Sequence, residues 1–137
     1  GVSSAASDVY KRQIVLLIQA LIFGDGGITA LGTNVLNMGI IGGCVGLYTF
    51  KGLKNTIGKY PAVGVAAWLA TVIAAAAAAV ELAIAGTFPL TLGIYSMVLY
   101  HMFIGIIEAV LTVIVIMALE KYRPDLLMWN KQTQGGK

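Results

Sequence analysis

From Leu90 to Leu119 the chain runs for 30 residues with His101 and Glu108 as its only acidic or basic side chains. A helix that crosses a bilayer core of about 30 Å needs about 20 predominantly apolar residues, so this run commits the chain to lipid. As one helix it would measure about 45 Å, half as long again as the hydrocarbon core. A break or tilt is therefore expected near Gly93, with Leu90 to Tyr95 at the interface and a span from about Met97 to Leu119. Composition agrees. The 137 residues are 58% hydrophobic and 11% charged, where a soluble domain carries roughly 25% charged residues. Mean hydropathy is +0.87. A disordered chain is excluded, and the expected class is all-α: a polytopic transmembrane bundle with about four helices.

The other spans follow from the same rule. Ile14 to Gly24 is too short to cross alone and reads as the end of a truncated helix. Gly24-Asp25-Gly26-Gly27 is a strong turn signal. A second span runs from about Ile28 to Phe50, and a third from Ala62 to Ala85 behind Pro61, which a first helical turn tolerates. Gly86-Thr87-Phe88-Pro89 is the next turn, and Pro124 stops the last span. Lys51, Lys54 and Lys59 lie in one loop, and Lys121, Arg123, Lys131 and Lys137 in the tail. The two basic segments are two spans apart and so share a side. That side should be the cytoplasmic one of a multi-pass cell (inner) membrane protein. The charge of +3 thus serves orientation in a lipid bilayer, and no nucleic-acid partner is expected.

The first 13 residues differ from the rest. Ser3 to Gln13 resembles the in-frame translation of a transposase-library sequencing adapter, so native sequence is expected to begin near Ile14. Setting aside Asp8, Lys11 and Arg12 leaves 7 basic and 5 acidic residues. The domain division is then 1–13 as a non-native leader, 14–127 as the transmembrane domain and 128–137 as a polar cytoplasmic tail. The leader is expected to make few contacts with the bundle.

Ionisable groups inside spans are costly and face protein or water. Here they are Glu81, His101 and Glu108, joined by the amides Asn34 and Asn37. By count along each span they collect toward the outer half of the membrane, above an apolar floor. This predicts a polar pocket open to the outside. Glu81 and His101 flank the turn at Gly86 to Pro89 and are expected within hydrogen-bonding reach of one another. His101 and Glu108 are seven apart, on one helix face. They serve either as a packing network or as a proton or cation path. One His is too few for a transition-metal site, which needs three or four ligands, so no catalytic, cofactor or metal ligand set is assigned. Cys44 excludes an internal disulfide and reads as a small packing residue. Ala66, Ala67, Ala70 and the run Ala74 to Ala79 permit close backbone approach, either within the bundle or to another membrane subunit. Gly39, Gly42, Gly43 and Gly46 give the second span a similar smooth face. No HExxH, nucleotide P-loop or nucleophile elbow occurs, so no enzyme activity is assigned and the chain has no means of hydrolysing ATP.

V-L-L-I-Q-A-L-I-F-G-D-G-G-I-T-A-L-G-T-N-V-L-N-M-G from Val15 resembles the CbiM/NikM family, the substrate-capturing membrane subunits of cobalt and nickel energy-coupling factor importers. E-L-A-I-A-G-T from Glu81, H-M-F-I-G-I-I-E-A-V-L-T from His101 and K-Y-R-P-D-L-L from Lys121 match too, and the alanine-rich span from Pro61 follows less distinctively. Ala109 stands where the family usually has Gly, and Gly42-Gly43 where a Gly-Pro is common. The resemblance implies divalent cobalt or nickel as transported substrate. It also implies a transmembrane coupling subunit, cytoplasmic ATPase subunits and a small accessory membrane subunit as partners. The family captures metal with a His directly after the initiator Met and a second His upstream of Val15; neither is in this chain, so no bound metal is expected of these residues. Asp25, Gly26 and Gly27 are the turn motif that carries the resemblance most specifically. The competing reading is a non-transporting membrane scaffold whose buried polar residues only hold helices together.

Overall fold

Two glycine turns separate the three long helices of the described chain. The computed structural model describes residues 10–11, 13–23 and 30–127. Residues 1–9 and 12 of the expected leader 1–13, residues 24–29 with the Asp25-Gly26-Gly27 turn, and the tail from 128 lie outside the described residues. Helix α1, Gln13–Ile22, is short and apolar, and its end winds as a π-helix over Gln19–Phe23. Helix α2 spans Leu31–Leu53. It is α-helical over Leu31–Asn34, π-helical over Val35–Ile41 and α-helical again over Gly42–Leu53. Helix α3 is Lys59–Ile84 and helix α4 is Leu90–Tyr122. A 3-10 turn, Pro124–Leu126, follows. Among the described residues there is no strand, and three helices, α2, α3 and α4, are long and apolar enough to cross a membrane.

The turns are built by their glycines. Gly58 takes φ +89° before α3, and Gly86 takes φ +69° after it. At Gly86 the α3 terminus closes as a Schellman motif: Gly86 N–H donates to the Ala83 carbonyl at 3.0 Å and Thr87 N–H to the Leu82 carbonyl at 3.1 Å. The Thr87 hydroxyl adds a third bond to the same Leu82 carbonyl at 2.9 Å.

Of the break or tilt expected near Gly93, the break does not occur. α4 is one helix of 33 residues, about 50 Å long. A glycine inside a helix signals either weakness or close approach, and here it is approach. A Cβ on Gly93 would lie 3.7 Å from the Ala79 Cβ and 3.3 Å from the Phe88 ring, so the missing side chain seats α4 on α3.

α3 is the middle helix, packed on α2 along one side and on α4 along another. Its interior is made of small residues: Ala62, Ala66, Ala74, Ala75 and Ala79 are buried. The large apolar side chains point outward. Ile84, Tyr48, Phe103 and Ile107 are all exposed, and only 11% of the apolar stretch of α4 is covered inside the bundle. Small residues inside and a continuous apolar exterior suit helices that pack in lipid, because a water-soluble monomer rarely shows so large an apolar patch.

Candidate functional site

The polar residues of the spans resolve into two separate contacts on two faces of α3. The first joins α2 to α3. Asn37 lies in the π-helical segment, 2% exposed, and its Nδ2 donates to Glu81 Oε2 at 2.8 Å. The widened turn is visible in the backbone: Gly42 N–H bonds the Asn37 carbonyl, five residues back. π-helical turns of this kind are frequent at functional sites. Gly42 itself must be small, since a Cβ there would meet the Asn37 carbonyl at 3.3 Å and the Ala70 carbonyl at 3.5 Å. Asn37 Oδ1 is buried with no hydrogen-bond partner, a deficit of about 1–3 kcal/mol where it stands. Glu81, half-buried, lies one turn from the open end of α3. A carboxylate therefore meets a buried carboxamide through its Nδ2 at one end of the bundle.

The second contact joins α3 to α4. Thr71 Oγ1 donates to Glu108 Oε2 at 2.6 Å, with Trp68 Nε1 donating to the Met102 carbonyl at 2.9 Å just above it. Thr71 and Ala70 are neighbours in sequence and so point about 100° apart around α3. The same geometry puts Ala70, with its neighbour Gly42, on the α2 side and Thr71 on the α4 side. Hence Glu81 and Glu108 do not share a pocket.

His101 belongs to neither contact. Its Nδ1 is 2.7 Å from the Met97 carbonyl, one turn back on its own helix. The expected Glu81–His101 contact is absent, and the reason is depth. Glu81 is three residues from the end of α3 and His101 eleven from the start of the unbroken α4, so at 1.5 Å per residue they differ by about 12 Å in level. His101 and Glu108 share a flank without bonding each other. Asn34 lies one turn before Asn37, in the α-helical start of α2. Among the described residues no three His, Cys, Asp or Glu side chains converge as metal ligands.

Two participants, Thr71 and Tyr60, are not singled out by the sequence, and Lys59, read there as a loop lysine, begins α3 and takes a partner. Tyr60 Oη donates to Glu120 Oε2 at 2.6 Å, and Lys59 Nζ pairs with Glu120 Oε1, tying the start of α3 to the end of α4. The signal was present. Thr71 and Glu108 lie 18 and 19 residues from Pro89, and Tyr60 and Glu120 lie 29 and 31 from it. Residues equidistant from the turn of an antiparallel pair meet. Beyond α4, Arg123 pairs with Asp125 at 3.0 and 2.9 Å. Those hydrogen bonds, and then the carboxylate charge, raise the guanidinium above its ordinary range; both side chains are exposed, so the pair adds little stability.

The profile of the family described as "Cobalt uptake substrate-specific transmembrane region" (CbiM) matches residues 12–126. A candidate metal transport protein of Methanocaldococcus jannaschii is 37% identical over 131 residues, covering 90% of this chain and 59% of that protein. A candidate fused nickel transport protein, NikMN, of Archaeoglobus fulgidus is 35% identical over 116 residues, covering 83% of this chain and 39% of its own length. The cobalt transport protein CbiM of Acetoanaerobium sticklandii is 36% identical over 121 residues, covering 82% and 49%. The chain thus spans about two to three fifths of the length of these relatives. No solved structure matches it.

Proposed function

The chain belongs to the CbiM family of cobalt-uptake transmembrane proteins, and from that premise we propose that it serves as the membrane substrate-capture subunit of an energy-coupling factor importer for divalent cobalt or nickel. The observation that carries the reading is the family match over 115 of 137 residues, from 12 to 126, laid on three helices long enough to span a bilayer. Relatives named for cobalt and for nickel both match, and both metals accept nitrogen ligands.

The Asn37–Glu81 contact is the part of the described structure best suited to the metal's path. A carboxylate attracts a dication, and a buried amide oxygen without a donor is an acceptor held ready. The lysine-bearing loop and the Lys59–Glu120 pair lie at the opposite end. On the positive-inside rule that end is cytoplasmic and Glu81 faces outward. The partners proposed are a transmembrane coupling subunit, cytoplasmic ATPase subunits and a small accessory membrane subunit. Separate ATPases fit a sequence without a phosphate-binding loop. The 137 residues alone, lacking converging metal ligands among those described, are expected to show no micromolar nickel or cobalt binding by calorimetry.

The scaffold reading keeps one foothold: Glu108 accepts the Thr71 hydroxyl and His101 Nδ1 bonds the Met97 carbonyl, so these two side chains act in packing. Uptake separates the readings. Cells deficient in cobalt and nickel uptake, given the gene together with its coupling and ATPase partners, should accumulate radiolabelled cobalt or nickel in an ATP-dependent manner. Accumulation no greater than with the partners alone would favour the scaffold.

A further inference from the structure

We propose that Asn37 and Glu81 form a two-oxygen edge for a hydrated divalent cation, made when the Asn37 carboxamide inverts; this rests on the reading that puts Glu81 on the metal's path, and adds how the ion is held there. In the structure the carboxamide faces Glu81 through Nδ2, which donates to Oε2 at 2.8 Å. A carboxylate only accepts, so a carboxamide that bonds it directly presents its NH2. That sets the positive end of the amide dipole where a cation would come. The other end, Oδ1, is buried and takes no donor. Asn37 is enclosed within the bundle, so a donor on a further helix reaches Oδ1 only if the contact between α2 and α3 opens. Nothing among the described residues holds the carboxamide in this orientation except the bond to Glu81.

Half a turn about χ2 exchanges Oδ1 and Nδ2. That torsion is broad and roughly two-fold in asparagine, so the side chain inverts without the backbone. The backbone is held: the Asn37 carbonyl takes the Gly42 N–H, and a Cβ on Gly42 would meet the Ala70 carbonyl at 3.5 Å. After inversion Oδ1 stands where Nδ2 stood, 2.8 Å from Oε2. Neighbouring oxygens around a small octahedral dication, with bonds of about 2.1 Å, lie about 3.0 Å apart. The pair therefore fits one edge of such an octahedron, and water fills the other positions, as a small dication keeps several waters. Two protein oxygens, one of them charged, hold an ion at about millimolar strength, which agrees with the absence of micromolar binding expected above. Carboxylate and carbonyl oxygens suit magnesium and manganese, so the edge admits these ions as well as cobalt and nickel and does not select among them.

The test is solid-state NMR on the chain in liposomes, with asparagine labelled with 15N and 13C and glutamate with 13C. Mg2+ is the probe, being octahedral and diamagnetic. Asn37→Ser identifies the Asn37 signals by their loss. Before Mg2+ is added, Asn37 Nδ2 should show a dipolar contact to the Glu81 carboxyl carbon. At about 20 mM Mg2+, saturating for a millimolar site, that contact should be lost while the contact from Asn37 Cγ to the same carbon stays. NaCl of equal ionic strength should change neither, and in Glu81→Gln the Asn37 signals should not respond to Mg2+. A Glu81 carboxyl signal that moves with Mg2+ while the Nδ2 contact persists would overturn the proposal. So would a pair that ignores Mg2+, one that loses both contacts, or the same loss with NaCl. Cobalt uptake tests the importer reading apart from this: uptake that depends on Glu81 beside an unmoved Nδ2 contact sinks the inversion alone, and inversion without uptake sinks the importer alone.

Discussion

Asn37 uses one end of its carboxamide on Glu81 and leaves the other without a partner. Asn37→Leu removes the only hydrogen bond that the Glu81 carboxylate receives from the described residues, and is expected to lower stability by about 1–3 kcal/mol, read as loss of helical circular dichroism on titrating denaturant into mixed micelles. The loss is a net one, since the orphaned Oδ1 disappears as well; unchanged stability would show that the bond and the orphan cancel. Gly105 offers a sharper steric test. A Cβ there would fall 3.0 Å from Trp68 Cδ1, whereas one on Gly52 meets nothing within 4 Å. Gly105→Ala should cost about 1–3 kcal/mol, while Gly52→Ala should be neutral or stabilising by up to about 1 kcal/mol. The same denaturation series checks both, and equal effects would place Trp68 away from α4.

At the scale of the helix, Gly86 holds a φ of +69° that a side chain opposes. Gly86→Ala is expected to cost about 1 kcal/mol and to speed amide exchange at Gly86 and Thr87, the two donors of the Schellman closure; unchanged exchange would contradict that closure. The helices themselves were legible because composition and breakers leave few choices: Pro61, Gly86, Pro89 and Pro124 all mark ends within a few residues. Length alone does not choose between a break and a tilt at Gly93, and the run is one helix because the glycine is needed for contact. The π-helical turn at Val35–Ile41 was not legible, since nothing in V-L-N-M-G-I-I distinguishes a five-residue from a four-residue bond. The candidate site turned on the same choice. With the break at Gly93, His101 falls level with Glu81; in the continuous helix it stands about 12 Å deeper, and Asn37 takes its place as the partner of Glu81.

For the whole molecule the antiparallel order of α2, α3 and α4 puts the 54–58 turn and Arg123 at one end and the Gly86 turn at the other, as the Lys59–Glu120 pair requires. With the lysines inside, a cysteine replacing exposed Thr87 in a Cys44→Ala background should react with an impermeant maleimide added to intact cells, and one replacing exposed Asn55 should not. The reverse pattern would invert the topology and move Glu81 to the cytoplasmic side. On the proposed function, the Asn37–Glu81 contact, outward by the positive-inside rule, belongs to the path of a captured dication and is more than helix packing. The direct measurement is the initial rate of radiolabelled cobalt uptake by cells carrying Glu81→Gln, at membrane abundance matched to the unsubstituted chain and with the same partner subunits. Gln keeps the shape and an acceptor for Asn37 but removes the charge, so the expected rate is about tenfold lower or more, the scale of losing a residue that supports a metal site; an undiminished rate would take Glu81 off the metal's path.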